Sequence, residues 1–480
     1  MNSIWDSTVT VPTYPALHQN ITVDAAVIGG GIAGLLIAYQ LEKRGIHAVV
    51  LERDRIWGGQ THDTTAKITA QHGICYHPLI QNYGEEKAAQ YAAANQAAIH
   101  EFRTLIQKGN IPCEWEEVPS YLYTTMDEAL LEKEALAAAR VGLDSRFTTD
   151  TSLPFPIKAA LCFPGQAQFN PLLFLQALLP SLTIYEKTPV LSIEKQAVSV
   201  PGATVQARHI ILACHYPFPR WPGFYFLRMH QERSYVLALR EADQVDGMYY
   251  GIDSDGLSFR NSGSLLLLGG AGHRTGKRLD QNPYQQLWRQ AQLLYPNCEQ
   301  AARWSAQDCM PLDGIPYIGT FSPTRPNWYV ATGFHKWGMT TSMAAAMILT
   351  GMILGEPPAY SGVFSPRRFS LKASKQNLKE DIRVSVKSLS RQFFTGPKKS
   401  VDDLLPGQAG IVRLGGRKVA AYRDESDRLY HISAKCPHLG CQLEWNPAER
   451  SWDCPCHGSR FDYTGKLLDS PAKSNVGGQS

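Results

Sequence analysis

The sequence predicts an α/β dinucleotide-binding domain joined to a mixed α+β portion, with a small all-β domain at the C-terminal end. Three observations carry this expectation. Residues 23–52 form a complete strand, glycine turn, helix and strand; the middle of the chain mixes Ala-rich helical stretches with apolar strand-like runs; and from Val401 onward short strands alternate with turns. A chain of 480 residues is too long for one simple core. A hydrophobic share of 44% and a charged share of 19% are those of an ordinary globular protein, and a net charge of +4 gives no reason to expect nucleic acid as a partner.

Taken in order, Val23 to Ile28 reads as a buried strand, Leu35 to Arg44 as a helix ended by Gly45, and His47 to Leu51 as a second strand closed by Glu52. Helices are expected over 85–108, over 127–141 with Glu132, Glu134 and Arg140 on a solvated face, from Pro171 to near Leu179, and over 283–294. Strands are expected over 198–205, 209–214, 235–239 and 265–268. The apolar run from Met339 to Leu354 is short for a bilayer span and carries Thr340, Thr341 and Ser342, so it reads as a buried helix. Between Ser361 and Ser400 ten Lys/Arg stand against two Asp/Glu, with Leu378, Ile382, Leu389 and Phe393 at near-helical spacing. That pattern predicts an amphipathic helix in a linker, which either packs on the preceding domain or meets an anionic surface such as membrane lipid or a redox partner. The expected division is 23–360 (with a substrate part mainly in 75–160 and 216–305), a basic linker at 361–400, and an all-β domain at 401–480. The first residues show no basic region followed by an apolar run, so the expected location is cytoplasmic.

The glycine turn Gly29-Gly30-Gly31-Ile32-Ala33-Gly34 lies between a strand and a helix. A pyrophosphate needs a helix N-terminus free of side chains: Gly29 permits the tight turn, Gly31 the approach of phosphate, and Gly34 close packing of helix on strand. Glu52 ends the second strand, where a carboxylate accepts hydrogen bonds from ribose hydroxyls. An acid there argues against NADP but leaves NAD and FAD open.

Of ten cysteines, Cys75, Cys113, Cys162, Cys214, Cys298 and Cys309 are scattered, and four crowd together at Cys436, Cys441, Cys454 and Cys456. The crowded set lies in two loops, Cys436-Pro437-His438-Leu439-Gly440-Cys441 and Cys454-Pro455-Cys456-His457-Gly458-Ser459, a spacing that reads as a metal site. Ligand identity alone leaves a Cys2His2 zinc site and an iron–sulfur site both open.

The segment Glu52-Arg53-Asp54-Arg55-Ile56-Trp57-Gly58-Gly59-Gln60-Thr61 resembles the extended fingerprint of the FAD-dependent amine and amino-acid oxidase (DAO) family. Asp313-Gly314-Ile315-Pro316 and Gly333-Phe334-His335-Lys336-Trp337-Gly338-Met339 are similar to that family's closing motif. The resemblance runs from about Val23 to Gly355 and is weak in the middle. It implies a Rossmann-like, glutathione-reductase-like FAD domain. Its implied cofactor contacts are Arg53, Gly59 and Thr61; Thr64, Thr65 and Lys67 in a segment crossing toward the isoalloxazine; Val190 at the adenine; and Gly333, Gly338 and Met339 at the pyrimidine edge. Some members carry flavin on a cysteine, and Cys309 is in that neighbourhood, although its spacing does not match cleanly.

The two cysteine–histidine loops, with Gly458-Ser459-Arg460-Phe461-Asp462 and Ser470-Pro471-Ala472 after them, resemble Rieske [2Fe–2S] domains of the cytochrome bc-complex type. The resemblance implies Cys436, His438, Cys454 and His457 as cluster ligands, and a disulfide between Cys441 and Cys456. Ser459 stands where the family's serine donates to a cluster or ligand sulfur, and Phe461 where its high-potential members have a tyrosine. A Rieske oxygenase is not expected. It needs two histidines and a carboxylate for a mononuclear iron, and beside His72 and His77 the residue at the acid's place is Thr69.

Together the resemblances imply hydride acceptance from an amine or amino-acid-like substrate, then electron transfer through the cluster to an external acceptor, a quinone or a soluble carrier. A redox relay or sensor with no small-molecule substrate is the alternative, and a cavity beside the flavin would separate the two. Lys67 and His335 fall near the flavin by motif position, but no catalytic base is identifiable.

Overall fold

The computed structural model describes residues 3–397 and 399–477. Strand β1 (Ile21–Ile28), helix α1 (Ile32–Glu42) and strand β2 (Ala48–Leu51) build the expected unit. β1 pairs in parallel with β2 on one side and with Ala203–Leu212 on the other. Thr183–Tyr185 extends the sheet beyond β2, and Arg325–Thr332 beyond Ala203–Leu212, both in parallel. Helix α1 is enclosed between this sheet and the helix Gly338–Leu354.

 Ile32 to Ala38 and Leu41 are thus all buried, and the partly exposed residues of α1, Tyr39, Gln40 and Glu42, lie at its C-terminal end.

A second sheet of eight strands carries the mixed portion. It includes Ser120–Thr124, Ala159–Phe163, Met248–Gly251, Ser258–Ser262 and the long strands Met229–Arg240, Leu265–Arg274 and Glu299–Pro311. The helices fall where periodicity places them: Glu85–Gly109, Glu128–Arg140 with Asp127 accepting from Ala129 N, Pro171–Leu178 with Asn170 accepting from Leu172 N and Leu173 N, and Pro283–Leu294. The C-terminal domain is all-β, with a three-stranded sheet (Ala409–Leu414, Arg417–Arg423, Leu429–Ser433) and a four-stranded one (Glu444–Asn446, Ser451–Asp453, Arg460–Asp462, Leu467–Asp469). Among the described residues no helix is long and apolar enough to cross a membrane.

Three expectations are corrected. The strand expected over 198–205 is two strands, Ala197–Val200 and Ala203–Leu212, because Pro201-Gly202 makes a hairpin turn with Gly202 at φ +76°. Glu134 is not on a solvated face. It is fully buried, and its carboxylate accepts from the backbone N–H groups of Cys75 (2.9 Å), Tyr76 (2.8 Å) and His77 (2.9 Å), capping the helix Tyr76–Tyr83. Glu132 and Arg140 are exposed as expected. The basic helix, Leu371–Phe394, packs on both domains rather than on one, and its apolar positions are divided: Leu389 packs on the all-β core, whereas Ile382 and Phe393 face outward.

Candidate functional site

One cavity of about 1000 Å³ lies between the parallel sheet, the eight-stranded sheet and the C-terminal domain. Gly29, at φ +114°, turns the chain out of β1, and Gly31, the N-cap residue of α1, brings no side chain to that end. Gly29, Gly31, Ile32 and Ala33 line the cavity, so the first turn of α1 points its N–H groups into it. A Cβ on Gly31 would meet only Thr61 Oγ1 at 3.2 Å, so a side chain there would grow into the open space. Gly34 does not line the cavity; a Cβ on it would run into the carbonyl oxygen of Gly29, so its role is close packing of helix on strand.

Glu52 lines the same wall. Its carboxylate accepts from Gly30 N at 2.7 Å and Asp54 N at 2.8 Å, and burial raises its pKa. Arg53, Gly59, Thr61 and Val190 surround this end, and Thr61 Oγ1 accepts from Ile32 N at 2.9 Å. Thr64, Thr65 and Lys67 line the cavity farther along; burial, and then the Arg260 charge, push the Lys67 ammonium down to about 7, and its Nζ donates to Tyr249 O at 3.2 Å. Gly333, Gly338 and Met339 form the opposite end, where the helix Gly338–Leu354 begins without a side-chain cap. His335 is not on the lining; its backbone N donates to Cys309 O at 3.1 Å. Cys309 does line the cavity, as a buried thiol. Two helix N-termini whose own N-cap residues supply no capping side chain face one long cavity, which fits a dinucleotide with an electron-rich ring at its far end.

The two cysteine–histidine loops meet at the second site. The imidazole rings of His438 and His457 lie 4.9 Å apart at 90°. The Nδ1 atom of each is buried and has no partner, and burial pushes both rings down, to about 3 and about 4, which keeps them neutral. Cys436 and Cys454 are buried and hydrogen-bonded to each other, which lowers the Cys436 thiol and raises that of Cys454. Two neutral imidazole nitrogens without partners beside two thiols are a donor set that fits a [2Fe–2S] cluster. Cys441 and Cys456 form a disulfide, Cα to Cα 6.7 Å, tying one loop to the other. Ser459 Oγ accepts from Ala472 N at 3.0 Å and lies within hydrogen-bond reach of Cys436, and Phe461 is fully buried in the same core. His72, by contrast, is held between Tyr91 Oη (2.6 Å) and Thr69 O (2.8 Å) and stacks on Trp337, so it forms no iron site with His77.

The residues that join the two sites were missed in the sequence. Gln231 Nε2 donates to His457 O at 2.7 Å and to Ser470 O at 2.9 Å. Gln307 Nε2 donates to Gly458 O and to Gln231 Oε1, both at 2.9 Å. Arg274 donates to Pro455 O and Cys456 O, Arg220 to His438 O, and Phe226 sets its ring edge-on to both histidines. Buried Arg233 faces Glu449 at 3.2 Å, and Arg460 pairs with Asp469 at 2.8 Å. Leu468, Asp469, Ser470, Ala472 and Lys473 of the all-β domain then form part of the cavity's own wall. The available clue is the run His230-Gln231-Glu232-Arg233-Ser234, five polar residues in a strand of the core sheet.

A dinucleotide cavity with a cysteine–histidine cluster site docked on its wall defines an oxidoreductase that uses FAD and a [2Fe–2S] cluster. The family model for FAD dependent oxidoreductases (DAO) matches residues 24–352, and that for the Rieske [2Fe-2S] domain matches residues 396–478. The chain belongs to the DAO family of FAD-dependent oxidoreductases and carries a C-terminal Rieske domain. It is 36% identical over 485 residues to the Bacillus subtilis (strain 168) protein named as Rieske 2Fe-2S iron-sulfur protein YhfW, covering 98% of this chain and 95% of that one. Its cluster region is 51% identical over 47 residues to cytochrome b6-f complex iron-sulfur subunit 1 of Nostoc sp., which is 10% of this chain and 26% of that subunit. In fold it is similar to glycine oxidase from Geobacillus kaustophilus (TM-score 0.61, 18% identity, 73% of this chain and 100% of that one) and to L-proline dehydrogenase from P. horikoshii (TM-score 0.59, 15% identity, 73% and 98%).

Proposed function

We propose that the chain oxidises an amine or amino-acid-like substrate and delivers the electrons, by way of its Rieske domain, to an external acceptor, a quinone or a soluble carrier, in the cytoplasm. Bound FAD supplies acceptance of a two-electron hydride, and the cluster supplies one-electron transfer. The observation that carries this reading is the bridge made by Gln231, next to the lining residue Glu232, whose amide bonds both His457 O of the cluster loop at 2.7 Å and Ser470 O of the cavity wall at 2.9 Å. Gly31 and the first turn of α1 would hold the pyrophosphate and Glu52 the ribose, with Arg53, Gly59, Thr61 and Val190 around the adenosine. Thr64, Thr65, Lys67, Gly333, Gly338 and Met339 would surround the ring. Cys436, His438, Cys454 and His457 would hold the cluster, with residues 401–480 as its domain and 361–400 as the linker.

The cavity continues under the eight-stranded sheet, where Tyr250, Ser258 and Gly270 line it, which supports a small-molecule substrate over a relay without one. Glu232, Asp308, Lys336 and Lys67 line it as well, and Lys336 Nζ pairs with Glu232 at 3.0 Å. These groups could orient a substrate bearing both an amine and a carboxylate. Lys67, held near 7, can take up or release a proton at neutral pH. The test is anaerobic mixing with a panel of amines, N-methyl amino acids and amino acids: at least one should bleach the flavin, and a panel in which none does would contradict the substrate class.

A further inference from the structure

We propose that the outer face of the basic helix Leu371–Phe394 docks on an anionic lipid bilayer. One side of this helix is fully engaged. Asn377 donates to Leu312 O at 2.8 Å, Asp381 pairs with His230 and Arg274, Ser388 donates to Gln442 O at 3.3 Å, and Arg391 pairs with Glu444. The helix is therefore fixed to both domains, and its other side cannot turn inward.

On that other side Ile382, Val386 and Phe393 share one face by helical spacing and are 55%, 60% and 61% exposed. Lys379, Arg383 and Lys387 flank them; all three are exposed and none makes a salt bridge among the described residues, although Lys387 also feels the Glu444 carboxylate. Exposed apolar side chains rimmed by exposed cations are the composition that binds at a headgroup layer, where apolar groups enter the acyl boundary and cations meet lipid phosphates. An anionic bilayer matches the face in both respects along its whole length, with lipid phosphates opposite Lys379, Arg383 and Lys387 and the acyl boundary opposite Ile382, Val386 and Phe393.

The face also reaches the cluster. Phe393 lies under Lys435 Nζ, 5.8 Å from its ring centre, and Lys435 immediately precedes Cys436. Docking would bring the first cluster loop, with its exposed Leu439, to the membrane surface. Resting on the electron route proposed above, this makes a lipid-soluble quinone the acceptor; the docking itself does not depend on that route.

The test is flotation of the full-length holoprotein with vesicles of phosphatidylcholine alone or mixed with phosphatidylglycerol. The wild type should float with the mixed vesicles, less so in high salt, and remain free of the neutral ones. I382S/V386S/F393S and K379E/R383E/K387E should each bind the mixed vesicles at least about tenfold more weakly, with flavin and cluster absorbance unchanged. A wild type that stays free of mixed vesicles, or binds neutral ones equally, overturns the proposal. So does an apolar triple variant that binds like the wild type. Because no substrate or electron transfer enters the assay, its failure is distinguishable from failure of the redox reading.

Discussion

The side-chain amide of Gln231, on a core strand of the flavin domain, hydrogen-bonds the backbone carbonyl of His457 in the cluster loop at 2.7 Å. The two residues are 226 positions apart, and the same amide also holds Ser470 O. With Gln307 and Arg274, which bond Gly458 O, Pro455 O and Cys456 O, it fixes the second cluster loop to the strand whose next residues, Glu232 to Val236, line the flavin cavity.

Gln231→Met keeps the length of that side chain and removes its donors. Two carbonyls and one Gln307 bond lose their partner, so the Rieske domain should be less stable by about 2 kcal/mol. Flavin and cluster should both remain bound, with slower electron flow between them. Denaturant unfolding followed at the cluster absorbance, with stopped-flow at both chromophores, checks this; wild-type behaviour in both would contradict it.

Gly31→Val should abolish FAD binding, because its side chain would enter the cavity at the head of α1. Glu52→Ala should weaken FAD retention and also leave Gly30 N without its acceptor, a cost of roughly 1–3 kcal/mol, while the exposed Asp54 N turns to water. Flavin content of the purified variants decides both.

Glu134→Ala removes the acceptor for three backbone N–H groups in a buried place and should destabilise the protein by roughly 3 kcal/mol. A loss of less than about 0.5 kcal/mol, the level of an ordinary surface substitution, would contradict the burial.

Glu134 also shows what the sequence could not display. Its place on the helix follows from periodicity, but its burial depends on residues 75–77, more than fifty positions away. The unit β1–α1–β2 and the two cluster loops were legible because each is a local pattern with its chemistry inside it. Gln231 and Gln307 were not, because their meaning lies in partners from the other domain. The basic helix was legible as amphipathic, yet which of Leu389 and Ile382 would be covered depended on the docking of two domains.

Hydrogen bonds to a cluster or ligand sulfur raise the reduction potential by stabilising the reduced, more negative state. Ser459→Ala should therefore lower the potential of the cluster, and Phe461→Tyr should raise it if the new hydroxyl reaches the ligand sulfur from its buried position. Redox titration monitored by EPR measures both, and a Ser459→Ala potential equal to that of the wild type would contradict the role of that hydroxyl.

The central claim is that the flavin cavity and the cluster form one electron path within the chain. Its most direct test is anaerobic mixing of the holoprotein with a substrate that bleaches the flavin, followed by freezing and EPR. The account predicts that a Rieske-type signal of the reduced cluster appears in the same sample, with about two irons per chain. A bleached flavin beside a cluster that stays oxidised would contradict it.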